Sequence, residues 1–139
     1  MSFAPLLAAT AVLLAAAPAA GGDISGVWKT ATDGGLVRLG PCGGDLCGHV
    51  VSSARLHAFP DQKDVRNRDP GQRGRAIKGL LMLKVHARGA GRWGDGWVYN
   101  PDDGGTYKAT LKLAADGRLQ VRGCIAEPLC RNQTWTRVE

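Results

Sequence analysis

The stretch that decides the fold is Thr106-Tyr-Lys-Ala-Thr-Leu-Lys-Leu113, followed by Ala114-Ala-Asp-Gly117 and Arg118-Leu-Gln-Val-Arg-Gly123. In the first segment Tyr107, Ala109, Leu111 and Leu113 alternate with Thr106, Lys108, Thr110 and Lys112. Successive strand side chains point to opposite faces, so this alternation predicts a strand with one buried face. Asp116-Gly117 suits the positive φ of a tight hairpin. Leu119 and Val121 then alternate with Arg118, Gln120 and Arg122. The unit reads as a β-hairpin with one apolar face, and a single hairpin needs further strands to be stable.

Those strands are found on both sides. Upstream, Arg92 to Tyr99 carries Trp93, Trp97 and Tyr99, on one face if no bulge intervenes, and the apolar run Gly79 to His86 precedes it. Near the start, strands are predicted over Ile24 to Thr32, Leu36 to Gly40 and Leu46 to Ser52. Asp33-Gly34-Gly35 is the first turn and Cys42-Gly-Gly-Asp-Leu-Cys47 the second. Arg131 to Val138, with Trp135, closes the chain. Only Ser53 to Lys78 breaks the rhythm, with two prolines and many charges. It is predicted as one long functional or flexible loop, with short helical turns near Ala54 to Phe59 and Gln72. About eight short strands joined by glycine-rich turns predict an all-β domain. Consecutive hairpins favour a small antiparallel up-and-down β-barrel over a sandwich, since closure removes exposed edges.

The N-terminal segment is of another kind. Residues 1–20 are an uncharged, alanine-rich apolar run ending in Ala17-Pro18-Ala19, the small-x-small pattern of a signal peptide cut after Ala19 or Ala20. The run is rich in Ala and is interrupted by Pro5 and Pro18, which argues against a membrane anchor. The expectation is an exported, periplasmic or secreted protein. Residues 21–139 form its single domain, with no transmembrane segment in the mature chain. The chain carries 18 Lys and Arg against 12 Asp and Glu, a formal charge of +6. Such a balance permits weak attraction to nucleic acid, anionic lipid or acidic glycans. The scatter of the basic residues favours solubility, and no specific nucleic-acid partner is expected.

Four cysteines form two close pairs, Cys42/Cys47 and Cys124/Cys130. In an exported chain they read as disulfides, and the spacing favours two local bridges, although four cysteines allow three connectivities. The alternative, a four-cysteine zinc site, usually has two to four residues between paired ligands. No metal and no cofactor are expected.

Two motifs add a resemblance. Gly26-Val-Trp28-Lys29 opens the first strand and Gln133-Thr-Trp135-Thr-Arg137-Val138 closes the last. The opening resembles the Gly-x-Trp of the calycin superfamily, which includes lipocalins and fatty-acid-binding proteins. That resemblance implies that Gly26, Trp28 and Arg137 close one barrel end, with the guanidinium over the indole. A longer string extends the likeness: Gly26-Val-Trp28-Lys29-Thr30, Asp33-Gly34-Gly35, Cys42-Gly43-Gly44-Asp45-Leu46-Cys47-Gly48, Asp64/Asn67/Asp69-Pro70, Tyr99-Asn100-Pro101-Asp102-Asp103-Gly104, Gly123-Cys124 and Cys130-Arg131-Asn132-Gln133-Thr134-Trp135. In this order it resembles the bacterial domain-of-unknown-function family 2147, whose members are small exported proteins. The resemblance implies a calycin-like (lipocalin-like) barrel and no established activity. Where relatives often carry an aromatic after the third strand, this chain has Ser52-Ser53.

No nucleophile, zinc-protease or phosphate-loop motif is present, and His49, His57 and His86 are far apart, so an enzyme is the least favoured reading. Asp64, Asn67 and Asp69 are expected to form turns or to order the long loop by pairing with its arginines. Trp97, Tyr99 and Tyr107 are candidate walls of a site for a small apolar or amphipathic, fatty-acid-like ligand. Arg73 and Arg75 would attract an anionic head at the barrel end bordered by the long loop, and Arg122 or Arg137 would hold the carboxylate. The alternative is a structural or interaction module with a filled core. A monomer or weak dimer is expected.

Overall fold

The computed structural model describes residues 4–5, 8–12 and 23–138. Apart from 4–5 and 8–12, the expected signal peptide over 1–20 lies outside the described residues. Eight strands follow in order: β1 (Gly26–Lys29), β2 (Leu36–Cys42), β3 (Asp45–Ser52), β4 (Leu81–Gly89), β5 (Arg92–Asn100), β6 (Gly105–Leu113), β7 (Leu119–Ala126) and β8 (Leu129–Arg137). Each pairs antiparallel with the next, and β1 pairs with β8, so the meander closes into a barrel. Between β3 and β4 lie a short helix, α1 (Ala54–Ala58), capped by Ser53 Oγ, and a 3-10 turn, Pro70–Gln72, capped by Asp69. Among the described residues no helix is long and apolar enough to cross a membrane.

The turn chemistry sets the register. Asp33 and Gly34 adopt φ of 55° and 57°, a conformation that splays no strands and that Asp-Gly reaches at low cost. The Cys42–Cys47 and Cys124–Cys130 disulfides clamp the β2–β3 and β7–β8 hairpins near their tips.

In an up-and-down barrel, alternate connections share an end. The β2–β3, β4–β5 and β6–β7 hairpins lie at one end with the start of β1. The β1–β2, β3–β4, β5–β6 and β7–β8 connections lie at the other. The first end is filled. Ile24, Trp28, Leu39, Leu83, Val85, Leu119 and Trp135 are nearly or wholly removed from solvent. Trp28 donates from Nε1 to the Ile24 carbonyl at 2.8 Å, and the Arg137 guanidinium stacks over its ring at 4.6 Å. The carbonyls of Ser25 and Asp23 accept from the same guanidinium, both at 2.9 Å. The arginine thus caps the indole and ties down the chain entering β1.

One strand departs from simple alternation. Between Trp93 and Gly96, β5 carries one more residue than β6 opposite it, a bulge with Asp95 at φ 50°. The extra residue reverses the facing of everything beyond it. Trp93 and Val98 both pack on the core. Trp97 and Tyr99 therefore lie on the outer face, so the common face read for Trp93, Trp97 and Tyr99 does not exist.

Candidate functional site

The end opposite Trp28 is open. A cavity of about 770 Å³ runs into the barrel there. Its deeper walls are Val37, Val50, Met82, Val98, Val121 and Trp135, and its rim comes from all four connections at this end. Ser52, Ser53, Arg55, Leu56, Gln62 and Ile77 represent the β3–β4 connection, while Asn100 to Asp103 represent β5–β6. Ile125, Pro128 and Leu129 belong to the β7–β8 hairpin, where Ile125 and Leu129 are largely exposed. The size suits a small organic ligand, as do apolar walls with a few polar groups.

The polar groups follow from strand parity. Trp135 packs in the core, so Gln133 and Arg131, two and four residues earlier on β8, face the interior as well. Gln133 Oε1 accepts from Trp135 Nε1 at 3.0 Å, which fixes the amide and leaves its NH2 available to the cavity. Arg131 is opposite Gly123 in register. A Cβ at Gly123 would meet Val98 and Tyr107 at 3.4 and 3.5 Å, ordinary contact distances that place Gly123 beside Tyr107 on the inner face. The Tyr107 hydroxyl donates to Asp103 at 2.5 Å, and Asp103 also accepts from the Gly105 amide. The bond to Asp103, with some burial, raises the Tyr107 pKa and keeps it a neutral donor. Among the described residues no carboxylate lies within ion-pair distance of Arg131.

The long β3–β4 connection is held against the barrel by a buried cluster. Asp64, 1% exposed, accepts from the Tyr99 hydroxyl at 2.5 Å and from Asn67 Nδ2 and Arg75 Nε at 2.9 Å each. Arg75 also stacks on the Tyr99 ring at 5.1 Å. Burial alone would raise the Asp64 carboxyl, but the bonds from Tyr99, Asn67 and Arg75 outweigh it and hold the pKa below the ordinary value. Tyr99 is pushed up to about 12, by burial first and then by the neighbouring carboxylate. Next to this cluster Gly104 has φ +73°, and a Cβ there would lie 1.7 Å from the Arg66 carbonyl oxygen. Only glycine admits that approach of loop to hairpin.

The residues expected to form one site are thus divided. Tyr107 and Tyr99 border the cavity, but the Tyr99 hydroxyl is committed to Asp64 under the loop. Trp97 is on the outer wall. Arg75 is bound to Asp64, and Arg73 donates from Nε to the Asn67 carbonyl at 2.8 Å, so both are fastened within the loop. Arg122 is on the outer face, paired with Glu127 at 2.9 Å, and Arg137 is at the closed end. The cations that border the cavity are Arg55 and Arg131. Counting back by two from Trp135 would have found Arg131, whereas Arg55 depends on the path of the loop.

Other chemistry is sparse. None of the three histidines borders the cavity, and His86 Nδ1 is bonded to Asp45 on the outer wall. Cys124, Glu127 and Cys130 bring two sulfurs and a carboxylate close together, but the sulfurs are joined to one another.

No curated protein matches the chain. The solved structure of a Helicobacter pylori protein described as belonging to the lipocalin family is similar at a TM-score of 0.74. The two share 22% identity over 84% of each chain, a likeness of fold. A family model described as an uncharacterised protein conserved in bacteria, DUF2147, matches residues 26–137. The chain, a closed lipocalin-like barrel stapled by two disulfides, belongs to the DUF2147 family.

Proposed function

We propose that the protein is an exported binding protein that takes a small apolar or amphipathic, fatty-acid-like ligand into the open barrel end. The observation that carries this is the half-filled interior: side chains pack the Trp28 end, while a cavity of about 770 Å³ remains above Val37, Val121 and Trp135. The tail would lie on Val98, Val121 and Met82. An anionic head would meet Arg131, helped by the Gln133 amide, in place of the arginines expected from sequence. The acids at the rim are engaged in part: Asp103 accepts from Tyr107, and Asp33 Oδ2 accepts from the Arg55 amide. Export is supported by the two disulfides, which persist in oxidising compartments. In this reading residues 1–20 are removed and 21–139 act as a monomer or weak dimer.

Titration of a fluorescent fatty acid and of a neutral analogue into purified protein tests the reading. Arg131→Gln should weaken the anionic probe by about tenfold, or ~1.4 kcal/mol, with little effect on the neutral one. Val121→Phe, which fills the cavity, should weaken both. Failure of either probe to saturate at micromolar protein overturns the proposal. The N-terminus of protein recovered from the cell exterior or periplasm tests export, and an intact Met1 refutes it.

A further inference from the structure

The outer wall carries a feature that the cavity does not use. Arg92 of β5 is directly opposite Lys112 of β6. Both side chains point outward, since Trp93 and Leu111 beside them pack on the core. Like charges directly opposite across an antiparallel pair destabilise a sheet. Among the described residues neither has a carboxylate within ion-pair distance to offset that repulsion. With Arg88 and Arg122 they border a hollow of about 390 Å³. The acid in it, Asp95, is bound to Arg88 at 2.7 Å. Thr110 and Asn132 flank Arg122 in register and add a hydroxyl and an amide. Further along β5, Trp97 is half-buried between Lys84 and Lys108 in register on the same face.

We propose that this outer face binds an acidic polysaccharide, with its carboxylates bridging Arg92 and Lys112 and a sugar ring packed on Trp97. Adjacent strands are about 4.8 Å apart, so the opposed cations Arg92 and Lys112 on β5 and β6 are separated by about the length of a sugar unit, with Arg122 of β7, bound to Glu127, diagonal to Lys112. Hydroxyl and amide side chains between the cations suit sugar hydroxyls. Two disulfides favour a compartment where glycans rather than nucleic acids are the abundant polyanions. A single outward indole also differs from the series of stacking aromatics that single-stranded nucleic acid uses.

The test is binding of polygalacturonate to the purified protein, followed by calorimetry and by tryptophan fluorescence. The wild type should bind at low salt and release the polymer as salt rises. Arg92→Gln with Lys112→Gln should weaken binding by about tenfold at low salt while leaving the thermal midpoint unchanged or higher, because a repulsion is removed. Lys63→Gln with Lys78→Gln, the same loss of charge on the β3–β4 connection, should change binding by less than about twofold. Equal losses in the two double variants would reduce the effect to net charge and overturn the site. No binding of polygalacturonate at low salt would overturn it too. Tighter binding of duplex DNA of matched charge would overturn the choice of partner.

Discussion

Replacing Asp64 by Asn probes what holds the long connection to the barrel. The carboxylate is 1% exposed and accepts from three donors: Oδ1 from Tyr99, Oδ2 from Asn67 and Arg75. An amide supplies only one oxygen. With that oxygen kept toward Asn67 and Arg75, the NH2 faces the Tyr99 hydroxyl, whose proton then has no acceptor. The variant loses charge assistance on two bonds and orphans one buried donor. Hydrogen bonds to charged groups contribute about 1.5–3 kcal/mol and an orphaned buried group costs about 1–3 kcal/mol. Arg75 is partly exposed, so its share is small. The expected loss is about 2–4 kcal/mol. With a urea m-value of about 1.5–2 kcal/mol per molar, the midpoint falls by roughly 1–2.7 M. Tyr99→Phe in the Asp64→Asn background removes the orphaned hydroxyl, so the double variant should be more stable than the sum of single effects predicts. Strict additivity, or a loss below about 1 kcal/mol for Asp64→Asn, would refute the account of a buried, charge-centred cluster.

The same cluster sets a pH dependence. Tyr99 titrates near 12 in the folded chain and near 10 unfolded, so its contribution is complete below pH 10. About 2–3 kcal/mol of it is lost between pH 10 and 12, a loss that Tyr99→Phe should not show in urea titrations. Asp64 is lowered from 3.8, so its contribution is present above about pH 4 and fades as pH falls through the folded value, which acid unfolding of wild type and Asp64→Asn would compare. Trp28→Ala should cost about 3–5 kcal/mol, and Arg137→Gln about 0.5–1 kcal/mol through the lost stacking, both read as denaturation midpoints. Opening either disulfide by paired Cys→Ser exchange should cost about 2 kcal/mol, and non-reducing peptide mapping of the wild type should find Cys42 joined to Cys47 and Cys124 to Cys130.

Much of the barrel was legible because its signals are local. Asp116-Gly117, Asp33-Gly34 and the alternation in Thr106 to Leu113 each depend on a few neighbouring residues, and strands β6 and β7 lie where those signals put them. Facing was less legible where alternation breaks. Nothing in Arg92-Trp-Gly-Asp-Gly-Trp97 announces which residue is extra, so plain alternation groups Trp97 with Trp93 although the bulge puts it on the other side. The loop arginines illustrate a second limit. In the sequence Arg73 and Arg75 are simply loop charges, but whether a side chain reaches solvent, a cavity or a buried carboxylate depends on contacts made across the fold. Arg75 meets Asp64 from 11 positions away, and Tyr99 meets it from 35.

The closure of the barrel has a consequence for how it can fail. β1 has four residues and meets β8 through two register pairs, Trp28↔Arg137 and Lys29↔Thr136, whereas β7 and β8 share seven. The β1–β8 seam is therefore where the cylinder would unzip first. Peeling β1 away bares one side of β8 and one side of β2, turning an edgeless barrel into an open sheet with two templates for another chain. Trp28 and Arg137 sit on that seam and act as its latch, so a damaged latch would show first as concentration-dependent association rather than as a loss of cavity shape.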